Sequence, residues 1–182
     1  MEIRENQLVK TFEEWGPEFH VEFDITILKL PPINNPDGTP HGGLVIFRIG
    51  NGDTRYGYGY GDLLPAMLLH SDGNVRITNT LHEDLKDPIK FSSSTKHHVA
   101  IKQYQVGAGE QNIYYYVYVH NGTHGEIKQN AKNDAPKTYK HVMFYASDSW
   151  EGSPFTSEFG MIENMIVYQS MYCPMYYVIL HK

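Results

Sequence analysis

Hydrophobic and polar positions alternate without interruption over residues 19–27. The odd positions are apolar and the even ones are polar or charged, in the order Phe19, His20, Val21, Glu22, Phe23, Asp24, Ile25, Thr26, Ile27. Successive side chains of a β-strand point to opposite faces, so a period of two predicts a strand with one buried and one solvated side. We expect the odd positions to face the core.

Similar apolar runs recur along the chain, separated by Gly, Asn, Asp and Pro. Residues 44–49 are apolar almost throughout, which is typical of a central strand. Residues 66–70 and 74–78 flank Ser71-Asp72-Gly73, which predicts a hairpin. The remaining expectations are strands at 98–105, 113–120, 140–146, 160–168 and 175–180, a long loop at 31–43, a polar loop with a short strand at 126–138, and either a helix or a strand within 3–15. This pattern predicts an all-β, antiparallel two-sheet β-sandwich, with residues 1–182 as one domain.

Composition and charge limit the classes of partner that we expect for this protein. The chain has 182 residues, a net charge of -6 and no dense Lys/Arg run, so a nucleic-acid partner is not expected. No apolar run approaches the roughly 20 residues of a membrane span. Cys173 is the single cysteine, so an intrachain disulfide is excluded. We expect a buried or partly buried thiol, and an intermolecular disulfide is the alternative if the protein is secreted.

The expected compartment is extracellular, with a leader removed, and the cytoplasm is the alternative. The first six residues are polar and lack the apolar region of a signal peptide. Asn121-Gly122-Thr123 fits a glycosylation acceptor, although Asn-Gly is also a preferred hairpin turn.

The order of these features resembles the concanavalin A-like jelly roll and, within it, the laminin-G-like domains. The resemblance covers most of residues 8–168 and leaves the tail 170–182 outside. The segments that carry it are residues 15–25, 44–48, 60–70, 98–101, 142–150 and 162–165. It implies two curved sheets that bind glycans, matrix proteins or lipophilic ligands at rim loops or on the concave face, in some members with calcium. Related folds include glycoside hydrolases.

The hypothesis that the protein hydrolyses glycosides depends on Glu22 and Asp24. Residues i and i+2 share one face of a strand, and Glu22-Phe23-Asp24 is similar to the Glu-x-Asp-x-x-Glu signature of jelly-roll glucanases. Ile27 and Leu28 stand where that family has its acid/base glutamate, and without an acid the leaving group is not protonated. We therefore expect two solvated carboxylates and no catalytic residues.

The predicted ligand site lies in rim loops. Tyr56, Tyr58 and Tyr60 alternate with glycines, and tyrosine offers a flat apolar face and a hydroxyl for stacking on sugars or protein. Asp62 and Trp150 complete the predicted site. Asp62 and Asp148 are the predicted ligands of an optional calcium ion, because calcium prefers loop carboxylates, although aspartates in loops commonly cap turns.

Two further groups of residues are weaker candidates. Tyr114, Tyr116 and Tyr118 share one face of a predicted strand, which is either a second binding surface or an ordinary sheet surface. His97 and His98 are adjacent and should point to opposite faces, so zinc or copper is not favoured.

The sequence thus predicts a non-enzymatic recognition module, lectin-like or adhesive, for a glycan or an extracellular protein. The first alternative is a glycoside hydrolase-related fold with an incomplete site. The second is an assembly protein in which Tyr-rich faces form the contacts of a homo-oligomer.

Overall fold

The computed structural model describes residues 7–51, 64–78, 89–105, 113–121, 126–133, 138–147 and 153–169. This part of the chain contains twelve strands and no helix. The strands are β1 Gln7–Trp15, β2 Phe19–Ile27, β3 Leu44–Gly50, β4 Ala66–Leu69, β5 Asn74–Thr78, β6 Ile89–Lys90, β7 Thr95–Gln105, β8 Ile113–Asn121, β9 Glu126–Asn133, β10 Tyr139–Ala146, β11 Ser153–Pro154 and β12 Gly160–Gln169. A helix with the length and apolar character to cross a membrane is absent from these ranges.

The strands form two sheets. One has seven strands in the order β1-β10-β3-β4-β5-β6, with the short β11 joined in parallel to β3. The other has five antiparallel strands in the order β12-β2-β7-β8-β9. The predicted antiparallel two-sheet sandwich is therefore confirmed.

The core forms from the inward positions of both sheets, and β2 supplies them as predicted. Phe19 retains 6% of its exposure, and Val21, Phe23, Ile25 and Ile27 retain none. The Phe23 ring meets the ring of Phe47 on β3 edge to face, with 5.7 Å between centroids. Because the odd positions fill the core, the even positions of β2 face outward.

Other predictions along the chain have mixed outcomes. Every residue of β3 is buried, as expected of a central strand, and β4 and β5 form the predicted hairpin. Asp72 caps its turn by accepting a hydrogen bond from the Asn74 backbone N–H at 2.9 Å. Residues 7–15 form a strand rather than a helix. Residues 126–133 form a full strand rather than a loop with a short one. The strand predicted at 175–180 lies outside the described residues.

Gly160 begins β12 where that strand pairs with β2, beside the ring of Phe155. A Cβ atom at this position would overlap the Thr26 carbonyl oxygen and the ring of Phe155. One partner is backbone and the other is a fully buried ring, so neither can move away easily. The space at position 160 is therefore available only to glycine.

We expect Gly160→Ala to lower the free energy of unfolding by on the order of 1–3 kcal/mol, the usual cost of overpacking. Thermal unfolding followed by circular dichroism measures this. Gly16→Ala is the matched control, because a Cβ at Gly16 meets nothing within 4 Å. Equal melting temperatures for the two variants would contradict the described approach of β12 to β2.

Candidate functional site

The outward side of the five-stranded sheet carries a cluster of ionisable side chains, which we call the polar face. It is defined by the outward residues of three neighbouring strands: His20, Glu22 and Asp24 of β2, Lys96, His98, Ala100 and Lys102 of β7, and Glu163, Asn164, Ile166 and Tyr168 of β12. Strand register sets these residues side by side. His20 pairs with Lys102 and Tyr168, and Asp24 pairs with His98 and Glu163. Residues on β2 and β7 that are more than 70 positions apart therefore become neighbours.

Glu22 lies between two imidazole rings. Its Oε2 atom is 2.7 Å from Nε2 of His20, and its Oε1 atom is 3.3 Å from Nε2 of His98. The Glu22 side chain retains 30% of its exposure and that of His20 retains 21%. An ionised carboxylate only accepts hydrogen bonds, so Nε2 of His20 donates to Glu22, and Nδ1 of a neutral His20 carries the lone pair. Glu22 thereby fixes the tautomer of His20.

Asp24 is held by three donors. Its Oδ1 atom is 2.9 Å from Nδ1 of His98. Its Oδ2 atom accepts from Nδ2 of Asn164 at 2.7 Å and lies 3.1 Å from Nζ of Lys96. Burial alone would raise the pKa of Asp24, but the hydrogen bonds from His98, Asn164 and Lys96 outweigh burial and lower that pKa below its ordinary value of 3.8. Asp24 is therefore a carboxylate at neutral pH.

A β-bulge in β12 brings Asn164 to Asp24. The register between β12 and β2 shifts between Glu163 and Ile166, and Asn164 has a φ of 54°. Asparagine adopts this left-handed conformation more readily than most residues, and bulges commonly redirect a side chain beside a site. On the same strand, Oε2 of Glu163 lies 3.2 Å from Nζ of Lys96. Hydrogen bonds to Asp24 and Glu163 raise the pKa of Lys96.

His20, Glu22, His98 and Asp24 thus form a continuous chain of alternating imidazole and carboxylate groups, which we call the relay. At its His20 end, the ring of Tyr168 stands edge-on to the imidazole, with 4.9 Å between centroids. Burial, and then the charge of Lys102, lower the pKa of His20 below 6.5, against the raising effect of Glu22. His20 is therefore neutral at physiological pH and suited to accept a proton.

The polar face continues across β8 and β9, for which the backbone pairing is described. Positions 116 and 118, which belong to the predicted tyrosine row, pair through their backbone with Lys102 and Ala100, two outward positions of β7. Lys128 and Lys132 of β9 pair with Tyr118 and Tyr114. The face therefore changes from carboxylates on β2 and β12 to tyrosine and lysine positions on β8 and β9.

The predicted rim site cannot be compared with this geometry. Tyr56, Tyr58, Tyr60, Asp62 and Trp150 lie outside the described residues, as does Asp148, the second proposed calcium ligand. Within the described ranges, no group of three or more His, Cys, Asp or Glu side chains has an arrangement that could hold a metal ion. The rim site and its calcium ion stay predictions.

Two expectations about the polar face do have an outcome. His97 is fully buried and His98 faces outward, as their adjacency predicted. Glu22 and Asp24 are not simply solvated carboxylates, because each is engaged by His98 and their exposures are 30% and 17%. The alternation in residues 19–27 signalled that His20 and Glu22 share a face, whereas no local signal linked them to His98, Lys96 or Asn164.

A comparison with solved structures gives one match. The chain is similar to the crystal structure of the marine PL-14 alginate lyase from Aplysia kurodai, with a TM-score of 0.50 and 11% sequence identity. The similarity covers 85% of this chain and 70% of the lyase. No protein-family model and no curated protein sequence matches the chain. The comparison supports the sandwich fold, and the narrower resemblance to laminin-G-like domains stays a prediction.

The same finding corrects the prediction that the chain is not an enzyme. The matching solved structure is that of an enzyme, a lyase. The glutamate missing from the hydrolase signature bears on one reaction only. His20 shares the outward side of β2 with Glu22, and strand pairing brings His98 to both Glu22 and Asp24.

Proposed function

We propose that this protein is an enzyme that cleaves a polysaccharide bound along the polar face, with His20 as the general base. The relay carries the proposal, because it joins a neutral imidazole to a carboxylate that fixes its tautomer. The structural similarity to an alginate lyase supports a carbohydrate polymer as the substrate. The tyrosine row of β8 supports it further, since aromatic rings stack on sugar faces.

The alternating relay also explains why these side chains can work together. Glu22 orients His20, His98 engages both Glu22 and Asp24, and Asp24 is anchored by Lys96 and Asn164. Glu22 and Asp24 of β2 and His98 of β7 are held by partners on other strands, and the ring of Tyr168 on β12 contacts His20. A rigid sheet positions catalytic side chains more accurately than a loop. The predicted rim residues Tyr56, Tyr58 and Tyr60 are proposed as additional contacts to the polymer.

The test of this function is a panel of polysaccharides that includes alginate, polygalacturonate and the neutral glucan laminarin. We expect the wild-type protein to shorten at least one of them, measured as new chain ends and as a fall in viscosity. The His20→Gln variant should cleave the same polymer about 10²- to 10⁴-fold more slowly. A protein that leaves every polymer on the panel intact would contradict the proposal.

The charged neighbours of His20 predict that two variants change its pKa in opposite directions. Lys102 lowers the pKa of His20, so Lys102→Met should raise it and move the acid limb of activity to higher pH. Glu22 raises that pKa, so Glu22→Gln should move the limb to lower pH. Titration of the His20 ring by NMR measures the pKa directly, whatever the remaining activity.

Lys29→Met is the matched control for the charge change, because Lys29 follows β2 and pairs with the exposed Glu158. It should leave the titration of His20 unchanged. A His20 pKa that moves in the same direction in Lys102→Met and Glu22→Gln would contradict the assigned contacts.

A further inference from the structure

We propose that the polymer cleaved on the polar face is a polyuronate, and that its chain is broken by β-elimination rather than by hydrolysis. The inference rests on the proposed function and adds the substrate class and the reaction. Three groups of observations lead to it: the state of the carboxylates, the surroundings of His20, and the distribution of cationic positions.

The described carboxylates of the polar face are all bound to donors. Glu22 faces the ring nitrogens of His20 and His98, Asp24 faces His98, Asn164 and Lys96, and Glu163 faces Lys96. Hydrolysis of a glycoside requires a carboxylic acid that protonates the leaving oxygen, opposite a carboxylate that acts as nucleophile or base. Hydrogen bonds hold the pKa of Asp24 below its ordinary value, and Glu22 and Glu163 are each occupied by nitrogen groups, so these side chains are poorly suited to the role of that acid. In the described part of the polar face, no carboxyl group is therefore placed as the acid of a hydrolase.

Elimination from a uronate needs a different set of groups. The proton at C5 lies next to the C6 carboxylate, and a base can remove it when a cation neutralises that carboxylate. The electron pair of the C5–H bond then forms the C4=C5 double bond. The C4–O bond breaks, and the leaving oxygen receives a proton from an acid. No water is consumed, and no oxidant or reductant is required.

The surroundings of His20 match these requirements. The neutral imidazole of His20 can take the C5 proton. Lys102 is its cross-strand partner and supplies the cation for the C6 carboxylate. The phenol of Tyr168, edge-on to the His20 ring, supplies a hydroxyl that can protonate the leaving oxygen. Base, cation and acid thus come from β2, β7 and β12.

Further lysine positions on the polar-face side would suit the other carboxylates of a polyuronate chain. Lys102 and the register positions of Lys128 and Lys132 lie on the polar-face side of β7 and β9, with tyrosine positions between them on β8. A chain with one carboxylate per sugar meets a lysine position on each side of the tyrosine row. The protein as a whole has a net charge of -6, so attraction of an anionic polymer must come from this local set.

The experiment compares alginate with the same polymer after reduction of its carboxyl groups, and with laminarin. Cleavage by the wild-type protein is followed by the ultraviolet absorbance of the unsaturated sugar and by reducing ends. Binding is measured by calorimetry with His20→Gln, so that it does not depend on cleavage. We expect unsaturated products from alginate, none from the reduced polymer, and binding of alginate that weakens with salt.

Lys102→Met, placed in the His20→Gln background, should weaken alginate binding about 10-fold or more, the usual effect of losing a charge-assisted contact. Lys29→Met in the same background should not change it. Equal binding by these two variants would overturn the role of Lys102. Equal binding of alginate and its reduced form would overturn the substrate class.

The outcomes separate this inference from the proposed function. Saturated products from alginate, or cleavage of laminarin or of the reduced polymer, would overturn elimination from a polyuronate and support a polysaccharide-cleaving enzyme. Alginate binding without cleavage of any polymer would support the substrate class, and would overturn the elimination together with the enzymatic function. Neither binding nor cleavage would overturn both.

Discussion

Replacement of Phe23 by Asp is expected to unfold the protein. The Phe23 side chain is completely buried and its ring packs edge to face on Phe47, which packs in the same way on Phe144. Loss of a buried phenylalanine costs about 3–5 kcal/mol, and an unpaired buried carboxylate adds several more. Domains are typically stable by only about 5–15 kcal/mol, so the sum removes most or all of the margin.

Thr26→Asp is the matched control, because it places the same charge on the outward side of the same strand. Thr26 is partly exposed and pairs with Lys96, so a carboxylate at this position stays in contact with solvent. Circular dichroism and thermal unfolding distinguish the two variants. A soluble Phe23→Asp protein with an unchanged melting temperature would show that the register of β2 is wrong.

The second large effect concerns the general base. His20→Gln should lower kcat by about 10²- to 10⁴-fold, the usual contribution of a positioned general base. Glutamine keeps a side chain that can donate to Glu22 but has no basic nitrogen. We therefore expect a folded variant with a melting temperature close to that of the wild type. The measurement is the cleavage rate with the best polysaccharide of the panel, together with thermal unfolding.

His141→Asn is the matched control for the loss of an imidazole. His141 lies on β10 of the other sheet, its side chain is 78% exposed, and its φ of 53° suits asparagine. The control should keep full activity. A His20→Gln variant that cleaves as fast as His141→Asn would remove His20 from the mechanism.

The strands that were predicted well from the sequence are those with one buried face and one solvent-exposed face. Residues 19–27 alternate perfectly, and all five odd positions are buried as predicted. The strand β9 was predicted less well, because residues 126–133 are mostly polar and give no alternating signal. It is a strand through its backbone pairing with β8, and its sequence does not encode that contact. Likewise, the sequence of residues 7–15 is compatible with a helix or a strand, and the segment is a strand because it pairs with β10.

The sequence by itself determined the sandwich and the sharing of one outward side by His20, Glu22 and Asp24, because alternation along a strand is a local property of the backbone. Only the tertiary structure decided which groups meet them. His98 reaches Asp24 across 74 positions of sequence, and Asn164 reaches it across 140. Which strands become neighbours, and with what register, depends on burial of the whole core. A bulge then turned Asn164 toward Asp24, and the relay exists because of those long-range pairings.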